Sequence, residues 1–376
     1  MAEPEPQRMT DELEWMQRAI ELARQGTALA SPNPLVGAVL VQDGQIISEG
    51  FYTYEGKKHA EVLAIEQAGE AARGATLIIN LEPCGHRGRT GPCTEAILAA
   101  GVRRVVAAMP DPNPLVSGRG LEQLRAAGVQ VETGLCREEA ERLNESFARY
   151  IGSGLPLVTL KAALTLDGKI AAPDDNSGWI TSEEARAHVQ QLRHASDAIL
   201  TGIGTVLADD PLLTDRSRQP RHRPLLRVVM DSQLRMSRDA GMLEQVDNDL
   251  MIVCSAAADP ARRAELQRRG AQVCSLPGHD RPDLRQVLKE LGRREITNVL
   301  LEAGSELNWA ALEADVVDKV FLYYAPKILG GRDSLPLAGG RGIRAMREAL
   351  VVKNLRYYQF GPDVAVEGYL HKIYAP

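Results

Sequence analysis

Three potential metal ligands and one further carboxylate lie close together in this chain. His59 and Glu61 flank a single alanine, Cys84 follows Pro83, and Cys93 comes nine positions after Cys84. Imidazole nitrogens and thiolate sulfurs are typical zinc ligands, and a zinc ion with three protein ligands keeps its fourth position for water. Such a water has a pKa near about 7 and can attack a carbon that carries an amino group. The residue types therefore predict a hydrolytic zinc centre with His59, Cys84 and Cys93 as ligands and Glu61 as the group that transfers protons.

The spacing resembles the zinc deaminase signature, in which His-x-Glu is followed by Pro-Cys-x-x-Cys and the Glu is not a ligand. This sequence departs from the signature in one respect, because nine positions instead of three separate the two cysteines. The longer loop adds the polar side chains of His86, Arg87 and Arg89. A basic loop beside a metal site favours an anionic substrate.

Two other interpretations use the same residues. A zinc-stabilised binding module would need a site closed by four ligands, and it would have no use for the free carboxylate of Glu61. A nucleic-acid deaminase would need a basic groove with aromatic side chains, whereas this chain has a net charge of -6 and only 4% aromatic residues. The composition therefore favours a small-molecule substrate over nucleic acid.

Length and cysteine content indicate the broad class of protein. At 376 residues the chain exceeds one typical core, and two domains are expected. Five cysteines spread over the chain are not typical of a disulfide framework and favour a reducing compartment. The acidic N-terminus is unlike a secretory signal, and no run of 18 apolar residues occurs. We expect a cytoplasmic protein without a membrane partner.

Alternating strands and helices are expected to position the predicted metal ligands. A short apolar strand over residues 76–80 precedes Cys84, one helix begins near His59, and another begins at Cys93. A helix N-terminus favours a thiolate. A last helix over residues 138–150 completes an α/β half with helices on both faces of one sheet.

The second half also alternates strands and helices, after a linker rich in Gly and Pro at residues 152–156. Glycines follow predicted strands at Gly202-Ile-Gly204 and at Leu301-Glu-Ala-Gly304, where backbone N–H groups can bind a phosphate. Neither segment has the complete Gly-x-Gly-x-x-Gly fingerprint with an acidic residue about 20 positions later. The sequence therefore indicates that this half is not a Rossmann domain.

Longer segments carry a resemblance to a known family, the bifunctional riboflavin-biosynthesis deaminase-reductase. The matching segments are residues 31–37, 59–61 and 83–93 in the deaminase half, and residues 160–169, 177–182, 205–211 and 301–304 in the reductase half. The resemblance implies an α/β protein with a cytidine-deaminase-like three-layer α/β/α domain over residues 9–151. It also implies a dihydrofolate-reductase-like α/β domain over residues 156–376.

The resemblance implies two successive reactions. The first removes an amino group by hydrolysis from a diaminopyrimidinone that carries a phosphoribosylamino arm. The second reduces the ribosyl group of the aminouracil product to ribityl with NADPH. The implied cofactors are one Zn²⁺ per chain and NADPH, and the implied assembly is a homo-oligomer, a dimer or larger.

The resemblance further implies which residues contact ligands. In the deaminase half, the implied substrate contacts are Asn33, His86, Arg89, Asp111 and Asn113. In the reductase half, the implied substrate contacts are Lys161, Ser177, Arg193, Leu213, Arg216 and Glu302. The implied NADPH contacts are Ala163, Trp179, Thr205, Asp209, Ser232, Gly304, Ser305, Glu306, Leu307, Asn308, Trp309 and Ala310. Turn formation by Asn33, Asp111 and Asn113 and a core role for Trp179 are open alternatives.

Overall fold

A computed structural model describes residues 5–85, 91–114, 116–174, 178–278 and 280–374. The chain forms two compact units. The first unit runs to Ser153 and includes Pro220–His222, and the second begins at Gly154.

The first unit is built on a five-stranded sheet with the strand order β2-β1-β3-β4-β5. Its strands are β1 (Gly37–Gln42), β2 (Gln45–Phe51), β3 (Thr76–Ile79), β4 (Arg104–Ala107) and β5 (Gln130–Thr133). The first two strands form an antiparallel hairpin, and β1 also pairs antiparallel with β3. Because β3, β4 and β5 are parallel, the loops that follow them leave the same edge of the sheet.

The helices of this unit bury apolar residues against the sheet. They are α1 (Glu5–Gln25), α2 (Ala60–Ala68), α3 (Cys93–Ala99), α4 (Arg119–Ala126), α5 (Arg137–Leu143) and α6 (Glu145–Ser153). Ala60 and Ala64 of α2, Ile97 of α3 and Leu124 of α4 pack in one buried cluster with Leu77 of β3. This cluster holds the starts of α2 and α3 against the sheet.

The single helix that we predicted over residues 138–150 is wrong, because two helices occupy this region. The break lies at Asn144, which is buried and has φ -108° and ψ 16°. Its side-chain amide accepts a hydrogen bond from Leu35 N at 2.8 Å and donates one to Leu35 O at 3.0 Å. The Asn144 backbone still donates to Ala140 O at 3.2 Å and accepts from Ala148 N at 2.9 Å, so the break is a local change of backbone angles at a residue whose side chain is held by Leu35. No periodicity in the sequence reports such a contact.

The second unit contains a nine-stranded sheet with the order β11-β10-β9-β8-β12-β6-β13-β16-β15. The strands of this unit are β6 (Leu157–Thr165), β7 (Lys169–Ala171), β8 (Ala198–Gly202), β9 (Leu226–Met230), β10 (Leu250–Ser255), β11 (Gln272–Leu276), β12 (Asn298–Leu301), β13 (Lys319–Ala325), β14 (Leu335–Pro336), β15 (Lys353–Phe360) and β16 (Asp363–Tyr369). In this order, the strands from β11 to β13 are all parallel to their neighbours. Strand β16 pairs antiparallel with β13, and β15 pairs antiparallel with β16. Strands β7 and β14 form a separate two-stranded sheet.

Both faces of the parallel part are buried by helices. The helices are α7 (Glu183–Ala195), α8 (Ile203–Asp209), α9 (Pro260–Arg268), α10 (Leu284–Arg293) and α11 (Ser305–Glu313). One apolar cluster includes Leu160 and Val228, and another includes Ile199 and Val229. Because adjacent positions of a strand face opposite sides of the sheet, a sheet covered on both faces requires nearly continuous apolar strands.

We find no helix among the described residues with the length and hydropathy that a bilayer crossing requires.

We predict that Gly37→Ala destabilises the first unit. A Cβ at Gly37 would lie 2.6 Å from Ala23 N and closer still to Ala19 O, so α1 would have to move away from β1. Overpacking of this kind costs about 1–3 kcal/mol of unfolding free energy. Gly152→Ala is the control, since a Cβ there meets no atom within 4 Å and alanine favours a helix. Urea unfolding followed by circular dichroism measures the difference, and equal midpoints for both variants would contradict the prediction.

Candidate active sites

The three predicted zinc ligands converge in the first unit. His59 is the N-cap residue of α2, Cys84 follows β3 at the carboxyl edge of the sheet, and Cys93 is the first residue of α3. His59 Nδ1 lies 2.9 Å from Cys93 Sγ and 3.6 Å from Cys84 Sγ, and the two sulfurs are 3.3 Å apart. The predicted cluster is therefore assembled from two helix starts and one strand end.

The donor set fits a zinc ion. Tetrahedral coordination with ordinary Zn–N and Zn–S lengths separates ligand atoms by about 3.5–3.8 Å. The separation of 3.6 Å between His59 and Cys84 lies in this range, and the other two are roughly 0.5 Å shorter. All three ligand atoms lie within 4.8 Å of one another. Glu61 is 2% exposed, and its Oε2 has no hydrogen-bond partner among the described residues. A buried carboxylate oxygen without a partner is costly, and here it lies beside the three donors.

The pKa values of these groups follow from their contacts. Hydrogen bonding with Cys93, and then with His59, lowers the pKa of the Cys84 thiol to about 4. The contact with Cys84, followed by burial, raises the pKa of Cys93. Burial also raises the pKa of Glu61, and the nearby His59 opposes this only in part. Cys84 therefore ionises more easily than Cys93. A bound zinc ion would favour the thiolate form of both cysteines, because only the ionised sulfur is a metal ligand.

A buried carboxylate that the sequence interpretation missed connects Cys84 to the next loop. Glu82 precedes Pro83 and accepts backbone hydrogen bonds from Asp111, Gly118 and Gly120 at 2.8–2.9 Å. A Cβ at Gly120 would lie 3.2 Å from Glu82 Oε1 and even closer to Pro83 O. Asp111, Gly118 and the start of α4 are therefore held against the strand end that carries Cys84. The acidic residue just before Pro-Cys was the available signal.

The predicted deaminase contacts have different surroundings. Asn33 Nδ2 donates to Tyr52 Oη at 2.7 Å, and the Tyr52 ring contacts His59 edge-on with centroids 5.6 Å apart. Asp111 Oδ1 accepts a hydrogen bond from Asn113 N at 2.8 Å, which is a turn contact. The predicted contacts His86 and Arg89 lie outside the described residues.

In the second unit, a buried ion network occupies the carboxyl edge of the central strands. Glu302 follows β12, and its carboxylate accepts hydrogen bonds from Arg193 Nε at 2.8 Å and Arg193 Nη2 at 3.0 Å. Lys161 Nζ of β6 lies 3.4 Å from Glu302 Oε2. Burial alone would raise the pKa of Glu302, but Lys161 and Arg193 outweigh it and hold this pKa at about 2. The structure thus brings three predicted substrate contacts, Lys161, Arg193 and Glu302, together in one network of charged side chains.

A single large cleft of about 2530 Å³ runs along this edge of the sheet. Pockets for one small ligand rarely exceed about 1,000 Å³, so the cleft has room for two ligands. The predicted residues that line it are Lys161, Ala163, Trp179, Arg193, Thr205, Asp209, Leu213, Arg216, Ser232, Glu302, Gly304, Ser305, Glu306, Leu307 and Ala310.

Two predicted residues of this half, Asn308 and Trp309, do not line the cleft. A third, Ser177, lies outside the described residues. Asn308 is fully buried and its amide donates to Leu337 O at 2.9 Å. Trp309 lines a separate cavity of about 480 Å³. The part of α11 that reaches the cleft is therefore its first turn, with Ala310 one turn further on.

Trp179 is a wall of the cleft instead of a core residue. Its side chain is 69% exposed, and the Arg186 guanidinium lies 4.8 Å from the ring centroid. Arg186 also donates to Thr181 O at 2.7 Å. A cation over an indole face stabilises the ring orientation, and we had not predicted this role for Arg186.

The chain matches two family models, one in each unit. Residues 9–109 match the cytidine and deoxycytidylate deaminase zinc-binding region, and residues 156–366 match the RibD C-terminal domain. The chain is 42% identical to the riboflavin biosynthesis protein RibD of Actinobacillus pleuropneumoniae, over 96% of this chain and 95% of that protein. It is 41% identical to the protein of the same name from Escherichia coli, over 95% and 99% of the two chains.

Solved structures show the same relationship. RibD from Acinetobacter baumannii superposes with a TM-score of 0.84 at 39% identity, covering 96% of this chain and 99% of that one. A deaminase/reductase from Thermotoga maritima gives a TM-score of 0.81 at 36% identity, with the same coverage. The two predicted α/β folds are therefore confirmed.

The fold and the two sites define an enzyme that joins a zinc-dependent deaminase to an NADPH-dependent reductase. This class agrees with the predicted cofactors and with a small pyrimidine as the substrate. The chain belongs to the RibD family of bifunctional riboflavin-biosynthesis enzymes.

We predict that Cys93→Ala removes the bound zinc. Loss of one of three protein ligands leaves too few donors for a stable site, so metal analysis is expected to change from about one ion per chain to near zero. Cys136→Ala is the matched control, because Cys136 belongs to the same unit and lies outside the cluster. Full zinc occupancy in Cys93→Ala would show that the ligand set is different.

Proposed function

We propose that residues 9–151 form the deaminase and residues 156–376 the reductase, and that the two act in that order. The Thermotoga maritima relative is a diaminohydroxyphosphoribosylaminopyrimidine deaminase and 5-amino-6-(5-phosphoribosylamino)uracil reductase. We assign the same two substrates to this chain. The observation that carries the first assignment is the buried Glu61 carboxylate beside His59, Cys84 and Cys93.

The deamination replaces a ring amino group with oxygen and releases ammonia. Bound zinc supplies the Lewis acidity that makes a water nucleophilic at neutral pH. Glu61 takes the proton of the attacking water and delivers it to the ring nitrogen, and a second transfer protonates the leaving amine. Burial raises the pKa of the Glu61 carboxyl group, which suits this group both to accept a proton from water and to donate it to the substrate. Asn33 and the segment at Asp111 and Asn113 would orient the pyrimidine, with His86 and Arg89 binding the phosphate.

The reduction places hydride on the carbonyl-level carbon of the opened ribosyl group. Arg193, Glu302 and Lys161 would position the ribose hydroxyls, and Arg216 would bind the phosphate. Gly304 and Ser305 at the start of α11 offer backbone N–H groups to the cofactor diphosphate, and Trp179 would pack against the cofactor. The cofactor supplies the hydride, while these residues set its distance from the substrate and exclude water.

The proposal includes a cellular context. We place the enzyme in the cytoplasm, since the described cysteines, including Cys84 and Cys93, are free thiols and thiols persist in a reducing compartment. We propose a homo-oligomer, because β15 ends the large sheet and carries the exposed Leu355 and Tyr357. An exposed apolar edge strand favours pairing with another chain. The net charge of -6 supports a role without nucleic acid.

We predict that Glu61→Gln abolishes deamination but keeps the metal and the second activity. Loss of a positioned acid–base group lowers the rate by about 10²- to 10⁴-fold. Ammonia release from the diaminopyrimidinone phosphate measures the first step, and NADPH oxidation with the deaminated substrate measures the second. In the parent enzyme, ammonia release is expected without NADPH, and NADPH oxidation only afterwards. Undiminished ammonia release by Glu61→Gln would refute the proton-transfer role.

We predict that Arg193→Met has the opposite phenotype. The variant leaves Glu302 buried with Lys161 as its remaining described cation, and the loss of charge-assisted hydrogen bonds is expected to lower kcat/KM for reduction by about 10- to 100-fold. Ammonia release stays unchanged. Arg268→Met on α9 is the control, since it removes an exposed guanidinium away from the cleft. Equal reductase rates in the two variants would contradict the assignment.

The low pKa of Glu302 gives a further expectation. Its folded pKa of about 2 lies below the ordinary 4.5, so the ionised network contributes its full stabilisation above about pH 5, and this contribution is lost progressively as the pH falls from there through about 2. The pH profile of the reductase step between pH 5 and 8 is therefore expected to contain no ionisation of Glu302. An acid limb in this range that disappears in Glu302→Gln would contradict the ion network.

A further inference from the structure

An irregular segment after α8, residues 213–216, forms part of the wall of the reductase cleft. Leu213, Thr214 and Arg216 line the cleft, whereas Asp215 does not. The Arg216 side chain is exposed, and no described residue gives its guanidinium a hydrogen bond or an ion pair. The position of this guanidinium therefore depends on the backbone that carries it.

The backbone of this segment has an unfavourable conformation at Leu213. This residue is 7% exposed and has a φ of 52°. A side chain other than glycine in the left-handed region costs free energy and persists only where surrounding contacts hold it. The shape of the cleft wall therefore depends on contacts that fix the 213–216 segment from outside the cleft.

Helix α7 supplies two of these contacts to the backbone of the segment near its C-terminal end. Gln190 Oε1 accepts a hydrogen bond from Arg216 N at 3.0 Å. Arg193, which also binds Glu302, donates to Thr214 O at 3.2 Å. The segment is thus tied to the ion network that we place around the ribose.

A third contact from α7 joins two buried side chains. His194 Nδ1 lies 3.0 Å from Asp215 Oδ2, and the two side chains are only 5% and 7% exposed. The other oxygen of Asp215 accepts a hydrogen bond from Ser217 N at 2.9 Å. Because removing one partner of a buried hydrogen bond is costly, this pair holds the residue directly before Arg216 firmly against α7. Neither His194 nor Asp215 lines the cleft.

Asp215 also influences the charge of the neighbouring ion network. Burial tends to lower the pKa of Arg193, but Glu302, followed by the charge of Asp215, raises it above its usual value. The His194–Asp215 pair therefore lies between the group that we place around the ribose and the arginine that we assign to the phosphate.

We propose that His194 and Asp215 are positioning residues for the reduction, and that they hold Arg216 where the substrate phosphate binds. An arginine recognises phosphate through two parallel hydrogen bonds, and such a contact weakens when the supporting residues let the guanidinium shift. The pair touches no ligand and acts through the backbone of the 213–216 segment. This inference rests on the proposed reductase function and adds what determines the position of its phosphate-binding arginine.

Steady-state kinetics of the full-length chain with NADPH and the phosphorylated aminouracil substrate test the pair. His194→Ala is expected to raise the KM for this substrate by about 3- to 10-fold, which corresponds to the loss of one hydrogen bond. The kcat and the KM for NADPH are expected to change by less than about twofold, because the pair affects binding of the phosphate and not the hydride transfer.

Two further variants separate the hydrogen bond from other effects of the substitution. His194→Asn keeps a donor, because its amide nitrogen is as many bonds from the Cα atom as Nδ1, and its KM is expected to lie within about twofold of the parent value. His371→Ala is the matched control. It removes another histidine–aspartate contact of the second unit, from His371 Nε2 to Asp315 Oδ1 at 2.9 Å, away from the cleft, and is expected to leave the KM unchanged.

A double-mutant cycle tests whether the pair acts through Arg216. Arg216→Met alone is expected to raise the substrate KM by about 10- to 100-fold, because a charge-assisted contact is lost. In that background, His194→Ala is expected to change the KM by less than about twofold, since the contact that the pair positions is already missing. Thermal unfolding verifies that each variant is folded. If His194→Ala does not fold, Asp215→Ala takes its place, with Asp215→Asn as the variant that keeps the hydrogen bond.

Three results would overturn the proposal and leave the reductase assignment intact. They are an unchanged KM in folded His194→Ala, a loss confined to kcat, and an equal rise in KM when His194→Ala is added to Arg216→Met. An unchanged KM in Arg216→Met itself would instead overturn the phosphate assignment of Arg216, and the inference with it. A parent chain that does not oxidise NADPH with the aminouracil substrate would overturn the reductase function as a whole.

Discussion

Parallel strands end at the same edge of their sheet, and both sites of this enzyme depend on that constraint. In the first unit, β3 delivers Cys84 to the carboxyl edge, where the starts of α2 and α3 supply His59 and Cys93. In the second unit, the segments after β8, β9 and β12 line one continuous cleft. Ligands in open α/β sheets bind at this edge because loops and helix N-termini converge there. The two sites share this placement and differ in the side chains that the loops carry and in the cofactors, zinc and NADPH.

Two buried glutamates show how surroundings set the state of one side-chain type. Glu302 has Arg193 and Lys161 beside it, which lower its pKa and keep it a permanent anion. Glu61 is more deeply buried than Glu302, and this burial raises its pKa although the nearby His59 opposes the rise. A permanent anion can orient neighbouring groups, whereas a carboxyl group with a raised pKa accepts a proton more readily. These surroundings therefore support the positioning role proposed for Glu302 and the proton-transfer role proposed for Glu61.

Sequence reasoning predicted the elements that short-range patterns encode. The ligands His59, Cys84 and Cys93 were identifiable because their chemical types and their places at helix starts and a strand end agree. The break at Asn144 and the clamp made by Glu82 were missed, since both depend on hydrogen bonds to residues far away in sequence. The same limit applies to Asn308, which faces the interior although its neighbours at the start of α11 reach the cleft. Spacing alone does not tell which helical positions a distant loop will cover.

The size of the reductase cleft bears on the kinetic order of the proposed second reaction. Its volume of about 2530 Å³ is large enough for a dinucleotide and a sugar phosphate to bind side by side. In the proposed reaction, hydride passes directly from one bound ligand to the other within a ternary complex. The rate law is that of a sequential two-substrate enzyme, in which neither ligand can complete half of the reaction and depart before its partner has bound.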